Sequence, residues 1–328
     1  MTPAAAFDTG GGTRYDKGKR NGRKKARGLY INTFNDAMKA RFGRKTYRLS
    51  LDCGFTCPNR DGTAGVGGCI FCSAGGAGNF AGRGESLDEM LAAAKEKIKS
   101  KTRGDCRYIA YFQSFSNTYA PPEALRALFS GAIAREDIAA LSIATRPDCL
   151  PPQTLALLAE LNEKKPVWVE LGLQTANDGT ARRMNRCYPT AVYDAAVRAL
   201  HERGLEVVTH IMLGLPGETR ADMRETVRHA ASLGTEGVKL HLTQVLKGTV
   251  LAGMYERGEF DVMPLEEYAA LLCDLIERLP RETVLHRYTG DGDKKELLAP
   301  LWCGDKKRVL NYINGVFRER DVEQGSKY

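Results

Sequence analysis

Residues 205–233 read LEVVTHIMLGLPGETRADMRETVRHAASL. The first nine are β-branched or apolar almost throughout, which reads as a strand covered on both faces. GLPGET follows, and from residue 219 the spacing turns helical, with proline ahead of the helix and glutamate near its first turn. Strand, turn and helix in that order make one βα unit, and the unit recurs. Strand-like runs occur at 46–52, 107–113, 139–144, 167–173 and 237–245, with helix-period segments at 86–100, 121–133, 151–163 and 190–203 between them. Ser86 and Glu89 open the first of those helices as a capping box. Strict alternation of this kind predicts an α/β fold with a parallel sheet covered by helices. Six units are too few for an eight-stranded barrel and suit a partial barrel or an open doubly wound sheet.

Either fold collects its chemistry at the C-terminal ends of the strands. The polar and glycine-rich turns obey that rule: a cysteine loop leaves the first strand, QSFSNT the second, TRPD the third, QTAND the fourth and GLPGET the fifth. Residues 29–42 read as a short amphipathic helix ending at Gly43. From 264 onward a helix precedes a Gly/Asp/Lys-rich tail, read as an extension closing over the same face. The expected division is a basic leader over 1–28, a core over 29–250 and the extension over 251–328.

The chain has 328 residues, nine cysteines and a formal net charge of +8. It has no apolar leader and no apolar run near the eighteen or so residues of a membrane span, so a cytoplasmic protein with no membrane partner is expected. In a reducing cytosol the cysteines read as thiols or ligands, not as a disulfide framework. Arg14, Lys17, Lys19, Arg20, Arg23, Lys24, Lys25 and Arg27 crowd the leader. They read as a phosphate-binding arm or as a solvated segment.

Residues 51–72, LDCGFTCPNRDGTAGVGGCIFC, hold four of the cysteines. Cys69 and Cys72 form a C-x-x-C pair, and Cys57 lies eleven intervening residues upstream. Three thiolates on a glycine-rich loop can hold three irons of a 4Fe-4S cluster and leave the fourth open. With Cys53 included, the spacing also suits a closed four-cysteine zinc site. Cys53 ends a strand while the others belong to the loop, and it reads as a buried thiol. Cys106, Cys149, Cys187, Cys273 and Cys303 stand singly, as small buried hydrophobes do; Cys303, in the tail, is retained as an active-site candidate.

In combination, LDCGFTCPNRDGTAGVGGCIFC, YFQSFSNTYAP, ATRPDCL, WVELGLQTAND, MNR and HIMLGLPGET resemble the radical S-adenosylmethionine (SAM) enzymes. Within them the resemblance is to the YtqA/YhcC group, relatives of the catalytic elongator subunit, over roughly residues 29–315. It implies a partial (β/α)6 TIM-like barrel with a C-terminal extension, a 4Fe-4S cluster on Cys57, Cys69 and Cys72, and SAM on the open iron as the source of a 5'-deoxyadenosyl radical. Gln113, Ser114 and Asn117 would replace the family's glycines and glutamate at the methionine amino group. Thr145 and Arg146 would meet the carboxylate, unless Arg146 pairs with Asp148. Glu170 and Gln174 would take ribose hydroxyls, and Gly214, Leu215, Gly217 and Glu218 would border adenine with Phe71 nearby. For acid/base work His210 and His241 read as core residues. His286, Tyr288, Asp291, Asp293 and Lys294 are candidates by placement in the tail, and Asp291, Tyr288 and Cys303 are the catalytic candidates.

The resemblance further implies a tRNA substrate, with carboxymethylaminomethyl trimmed to aminomethyl on a 2-thiouridine at the wobble position. A flavodoxin- or ferredoxin-type electron donor and a downstream methyltransferase would be partners, and no acetyltransferase domain is expected. Two other readings remain. ELGLQT and GLPGET also resemble the oxygen-independent coproporphyrinogen enzymes, which implies a porphyrin precursor, and four clustered cysteines suit a zinc-stabilised nucleic-acid-binding protein.

Overall fold

The computed structural model describes residues 30–76, 81–102, 104, 106–290 and 294–328. The basic leader, Asp291 and Asp293 lie outside the described residues. All six expected strands form: β1 (Thr46–Leu51), β2 (Arg107–Phe112), β3 (Ile138–Thr145), β4 (Val167–Gln174), β5 (Glu206–Leu213) and β6 (Gly237–Leu242). Beyond them come β7 (Val245–Leu246), β8 (Val284–Arg287) and β9 (Leu297–Ala299). The main sheet runs β1-β2-β3-β4-β5-β6-β8 and is parallel throughout, while β7 and β9 form a separate antiparallel ribbon. Neighbours in sequence are neighbours in the sheet, with no reversal of strand order. That order is a barrel's, not a doubly wound sheet's, and because β1 and β8 do not pair, the barrel stays partial.

The seventh parallel strand, β8, was not expected from the sequence. It pairs with β6 at only Gly237↔Val284, Val238↔Leu285 and Lys239↔Arg287, with a register shift after Val238. Four residues are too few to show a period.

Among the described residues seven of the longer helices follow the predicted ones within a few residues, whereas the C-terminal helix Lys306–Glu319 was read as part of the tail; local chemistry accounts for several of the ends. The helix expected from residue 29 begins at Phe34, because the Thr33 side chain accepts the Asp36 N–H, and Gly43 at φ 69° ends it. The capping box expected at Ser86 is only half made. Ser86 accepts the Glu89 N–H, but the Glu89 carboxylate takes the Glu85 N–H instead of that of Ser86. Thr219 and Asp222 form a complete box at the helix Arg220–Ser232. Among the described residues no helix is long and apolar enough to cross a membrane.

Strand alternation sorts the side chains into two populations. Outward residues such as Val169, Leu171, Val207, Ile211 and Leu240 join helix residues Leu125, Phe129, Leu158, Val197, Val227 and Leu272 in one core. Inward residues form layers. At the N-terminal mouth Ile109, Ala140, Trp168 and Val208 are sealed by Met38 from the first helix. Two residues further along each strand the layer is polar, with Tyr111, Ser142, Glu170, His210 and Lys239. Above it lies open space.

Candidate active site

That space is a cavity of about 190 Å³ at the C-terminal end of the barrel, and Cys57, Cys69 and Cys72 all line it. Gly67 and Gly68, at φ 77° and 79°, turn the loop into Cys69. The Cys72 N–H then bonds the Cys69 carbonyl at 2.9 Å, closing the C-x-x-C turn. Donors reach two of the sulfurs. Arg60 Nη2 lies 3.3 Å from Cys72 Sγ and also holds the Ser73 carbonyl at 2.6 Å, and Asn59 Nδ2 lies 3.6 Å from Cys69 Sγ. Burial, with Cys72 and Cys57 nearby, pushes the Cys69 thiol up to about 12. Burial also raises Cys72, against the pull of Arg60. Ligation of these thiols therefore expels protons.

Cys53 does not line the cavity. It packs against the main core, where burial and the Asp52 carboxylate push it up to about 12. Among the described residues no three His, Cys, Asp or Glu side chains gather about one ion-sized point. Three thiols lining one cavity, two of them receiving hydrogen bonds at sulfur, fit a 4Fe-4S cluster with an open iron. The closed zinc tetrahedron needs Cys53 in the same lining and does not fit.

The strand-end motifs divide on the same criterion. Phe71, Thr145, Arg146, Glu170 and Gln174 line the cavity, whereas Gln113, Ser114, Asn117, Gly214, Leu215, Gly217 and Glu218 do not. Asn117 is fully buried, and its amide bonds the Ser114 and Ala144 carbonyls at 3.1 and 2.9 Å, which ties the β2 exit to β3. From QSFSNT it is Phe115 and Ser116 that reach the cavity. Phe115 has φ 58°, so the chain reverses there and the side-chain alternation of β2 does not carry into the loop. The Ser116 hydroxyl is buried without a hydrogen-bond partner among the described residues.

Arg146 carries both of its predicted relationships. It lines the cavity, and it also grips Asp148 through Nε at 2.8 Å and Nη2 at 2.6 Å, with Nη1 on the Arg186 carbonyl at 3.0 Å. Its charge is offset before any ligand arrives. Gln174, at φ 59°, is met by Tyr188, whose hydroxyl donates to the Gly172 carbonyl.

The MNR motif fastens the cysteine loop to the barrel. Asn185 Nδ2 bonds the Val66 and Gly68 carbonyls at 3.1 and 2.8 Å, and the Asn185 carbonyl accepts from Asn59. Arg186, 1% exposed, donates to the Leu173, Thr175 and Tyr188 carbonyls and to Asp178 and Thr190. Lysine cannot span that fork. Arg186→Lys should cost about 2–3 kcal/mol, measured by urea denaturation, because carbonyls buried around the guanidinium lose their donors.

GLPGET turns against the cysteine loop. Gly214 and Gly217 both have φ 79°, and Leu215 packs with Ile70, Phe71 and Met184. Glu218 accepts from the Thr175 hydroxyl through Oε1, and its Oε2 is buried without a hydrogen-bond partner among the described residues. Burial pushes its carboxyl up to about 7, the Thr175 bond opposing. The folded state thus holds this proton more tightly than the unfolded chain. The corresponding stability is present below the ordinary carboxylate value of about 4.3 and is lost as pH rises through about 7. Glu218→Gln should flatten the melting temperature over that window, as read by calorimetry across a pH series.

Tail candidates fall elsewhere. His286 bonds Arg48 (Nδ1 to Nη2, 2.7 Å) and stacks near Phe34 at 4.9 Å, at the opposite mouth of the barrel. Tyr288 donates to Asn314 at 3.0 Å, against the C-terminal helix. The Cys303 thiol receives Gln244 Nε2 at 2.8 Å and donates to the Pro300 carbonyl. Lys294 is exposed. Leu251 and Ala299 of the extension share one apolar cluster with Ile70 and Phe71 of the cysteine loop.

His210, read as a core residue, lines the cavity, and the sequence passed over Lys239 altogether. Glu170 accepts Ser142 Oγ at 2.6 Å on Oε1, and His210 Nε2 at 2.6 Å and the Lys239 ammonium on Oε2. Burial alone would raise its carboxyl, but Lys239, His210 and Arg48 hold it well below the usual range.

Comparison with known proteins agrees with this geometry. The sequence pattern of the Radical SAM superfamily matches residues 57–230, and that of the Radical_SAM C-terminal domain matches 235–319. YtqA of Bacillus subtilis is 44% identical over 294 residues, 89% of this chain and 91% of that protein. YhcC of Escherichia coli K12 is 36% identical over 297 residues, 90% of this chain and 94% of that one. Among solved structures, Elp3 of Methanocaldococcus infernus, with its N-terminus deleted, gives a TM-score of 0.63 at 17% identity, over 85% of this chain and 64% of that chain. That last likeness is one of fold. A superfamily pattern covering just over half the chain, from the first cavity-lining cysteine to the helix after GLPGET, shows that the chain belongs to the radical SAM superfamily.

Proposed function

We propose that this radical SAM enzyme acts on tRNA, trimming a carboxymethylaminomethyl group to aminomethyl on a 2-thiouridine at the wobble position. When bound, the cluster and SAM supply a 5'-deoxyadenosyl radical, and the protein's part is to hold and shield the reacting groups. Cys57, Cys69 and Cys72 would hold the cluster, Arg60 and Asn59 would donate to its sulfurs, and Phe71, Phe115 and Tyr188 would keep water from the cavity. An external flavodoxin- or ferredoxin-type donor would reduce the cluster, and a methyltransferase would consume the aminomethyl product.

The observation that carries the substrate reading is exposed positive charge after the strand ends. Arg182 and Arg183, in the helix that follows β4, and Lys247 and Lys294, which follow β7 and precede β9, are all exposed in a chain of net charge +8. Exposed cations suit a polyanion, and binding through them weakens steeply with salt. Nucleoside mass spectrometry of tRNA from a deletion strain tests the reading. Carboxymethylaminomethyl-2-thiouridine should accumulate at the expense of aminomethyl derivatives, and an unchanged wobble profile would sink the proposal. Reversing charge with Lys247→Glu and Lys294→Glu together should lower tRNA affinity roughly tenfold and flatten its salt dependence, measured by filter binding. Binding that ignores both changes would favour a small-molecule substrate.

A further inference from the structure

Glu170 and His210 stand where the polar layer of the barrel meets the cavity, and the bonds between them determine what the cavity is offered. Both Glu170 oxygens are taken by protein donors, so the carboxylate is not the group that meets a ligand. An ionised carboxylate can only accept, which puts the ring proton of His210 on Nε2. A neutral imidazole has one such proton, so Nδ1 is left as a bare acceptor. Nδ1 of His210 has no protein partner among the described residues, and it is not sealed off as Nε2 of the neighbouring His241 is. The side chain is 21% exposed, on the cavity side.

The surroundings keep the ring neutral. It faces Glu170 from β4, Lys239 and His241 from β6 and Arg287 from β8, with Tyr111 of β2 behind Lys239. Burial, then Lys239, push the imidazole down to about 4 despite the Glu170 bond. A histidine so held remains an acceptor throughout the neutral range.

We propose that His210 is the specificity-determining acceptor of the cavity: its Nδ1 takes a hydrogen bond from an N–H or O–H donor of the substrate, Glu170 fixes the tautomer, and Lys239 holds Glu170 as the anion. The inference rests on the proposed function in taking the cavity as the place where substrate reacts; there the donor would be the side-chain amine of the modified uridine. A hydroxyl of SAM offers the same chemistry, so the test must separate the two.

The first measurement needs no substrate. Long-range ¹H–¹⁵N NMR of the protein labelled at histidine should show one ring, identified by its disappearance in His210→Gln, as the Nε2–H tautomer with unprotonated Nδ1 at neutral pH. In Glu170→Gln the amide donates as well as accepts, and this ring should shift toward the Nδ1–H form. A cationic or Nδ1–H ring in the unmodified protein would overturn the proposal.

The second measurement uses the reconstituted holoenzyme. His210→Gln should lower kcat/KM for the tRNA substrate roughly tenfold to a hundredfold, while the Kd for SAM, by calorimetry, moves less than about threefold. An equal loss of SAM affinity would assign the donor to the cofactor, and unchanged kcat/KM would show that nothing binds Nδ1; either result overturns the proposal. If the unmodified holoenzyme does not act on tRNA, the substrate reading fails by itself, and the tautomer measurement alone decides the role of His210.

Discussion

Cys57→Ala, Cys69→Ala and Cys72→Ala should each give a protein that folds, stays colourless after anaerobic reconstitution with iron and sulfide, and forms no 5'-deoxyadenosine from SAM. Cys53→Ala should remain brown and active. The three cysteines line one cavity, whereas Cys53 packs against the core beside Asp52. Removing one lining thiolate leaves two ligands for a four-iron centre and a second iron without protein. Removing Cys53 deletes a small buried thiol and costs only packing. The loop survives loss of any one sulfur because its shape is set elsewhere, by the Asn185 bonds to Val66 and Gly68 and by Arg60 across Cys72 and Ser73. Circular dichroism and iron analysis separate folding from loading. A brown, active Cys69→Ala protein or a colourless Cys53→Ala protein would contradict this division.

The βα rhythm and the cysteine spacing were legible because each is a local pattern. Six strands and the helices between them announce themselves by period, and three cysteines by their intervals. What the sequence hid depends on contacts between distant segments or on single backbone angles. β8 is four residues long and becomes a strand only by pairing with β6. The resemblance pointed to Gln113, Ser114 and Asn117 in QSFSNT, but the positive φ of Phe115 turns the chain so that Phe115 and Ser116 line the cavity, and no sequence pattern reports that angle. Glu170 was expected to take ribose hydroxyls, and it lines the cavity with both of its oxygens already bonded to protein donors. Its bonds come from Ser142, His210 and Lys239 on three other strands, and no local spacing reports them. Arg186 lay in a quoted motif, yet five acceptors drawn from different turns decide its worth.

Lys239→Met should then be the most destabilising change in the barrel interior, by about 3–5 kcal/mol and roughly 6–10 °C in melting temperature. Lys239 and Glu170 are fully buried, and Lys239 also donates to the Tyr111 hydroxyl at 2.9 Å. Methionine matches the volume of lysine but leaves the carboxylate with only Ser142 and His210 as donors. The pH dependence fixes the sign. In the unmodified protein Glu170 is held well below its ordinary value, so its contribution is present above about 4.3, the unfolded carboxylate's value, and is lost as pH falls through the folded one. In Lys239→Met burial is opposed far less and raises the carboxyl. The variant is then most stable at the acid end, where Glu170 carries a proton, and the gap to the unmodified protein widens as pH rises. The double variant Glu170→Gln, Lys239→Met carries no buried charge at either position and should recover most of the loss, since a buried ion pair is often replaceable when both partners go together. Denaturant midpoints for the two single variants and the double variant, at an acid and a neutral pH, form the cycle. A loss below about 1 kcal/mol in Lys239→Met, or a double variant no more stable than that single one, would mean that Lys239 does not hold Glu170 as the anion, and the acceptor role given to His210 would lose its support.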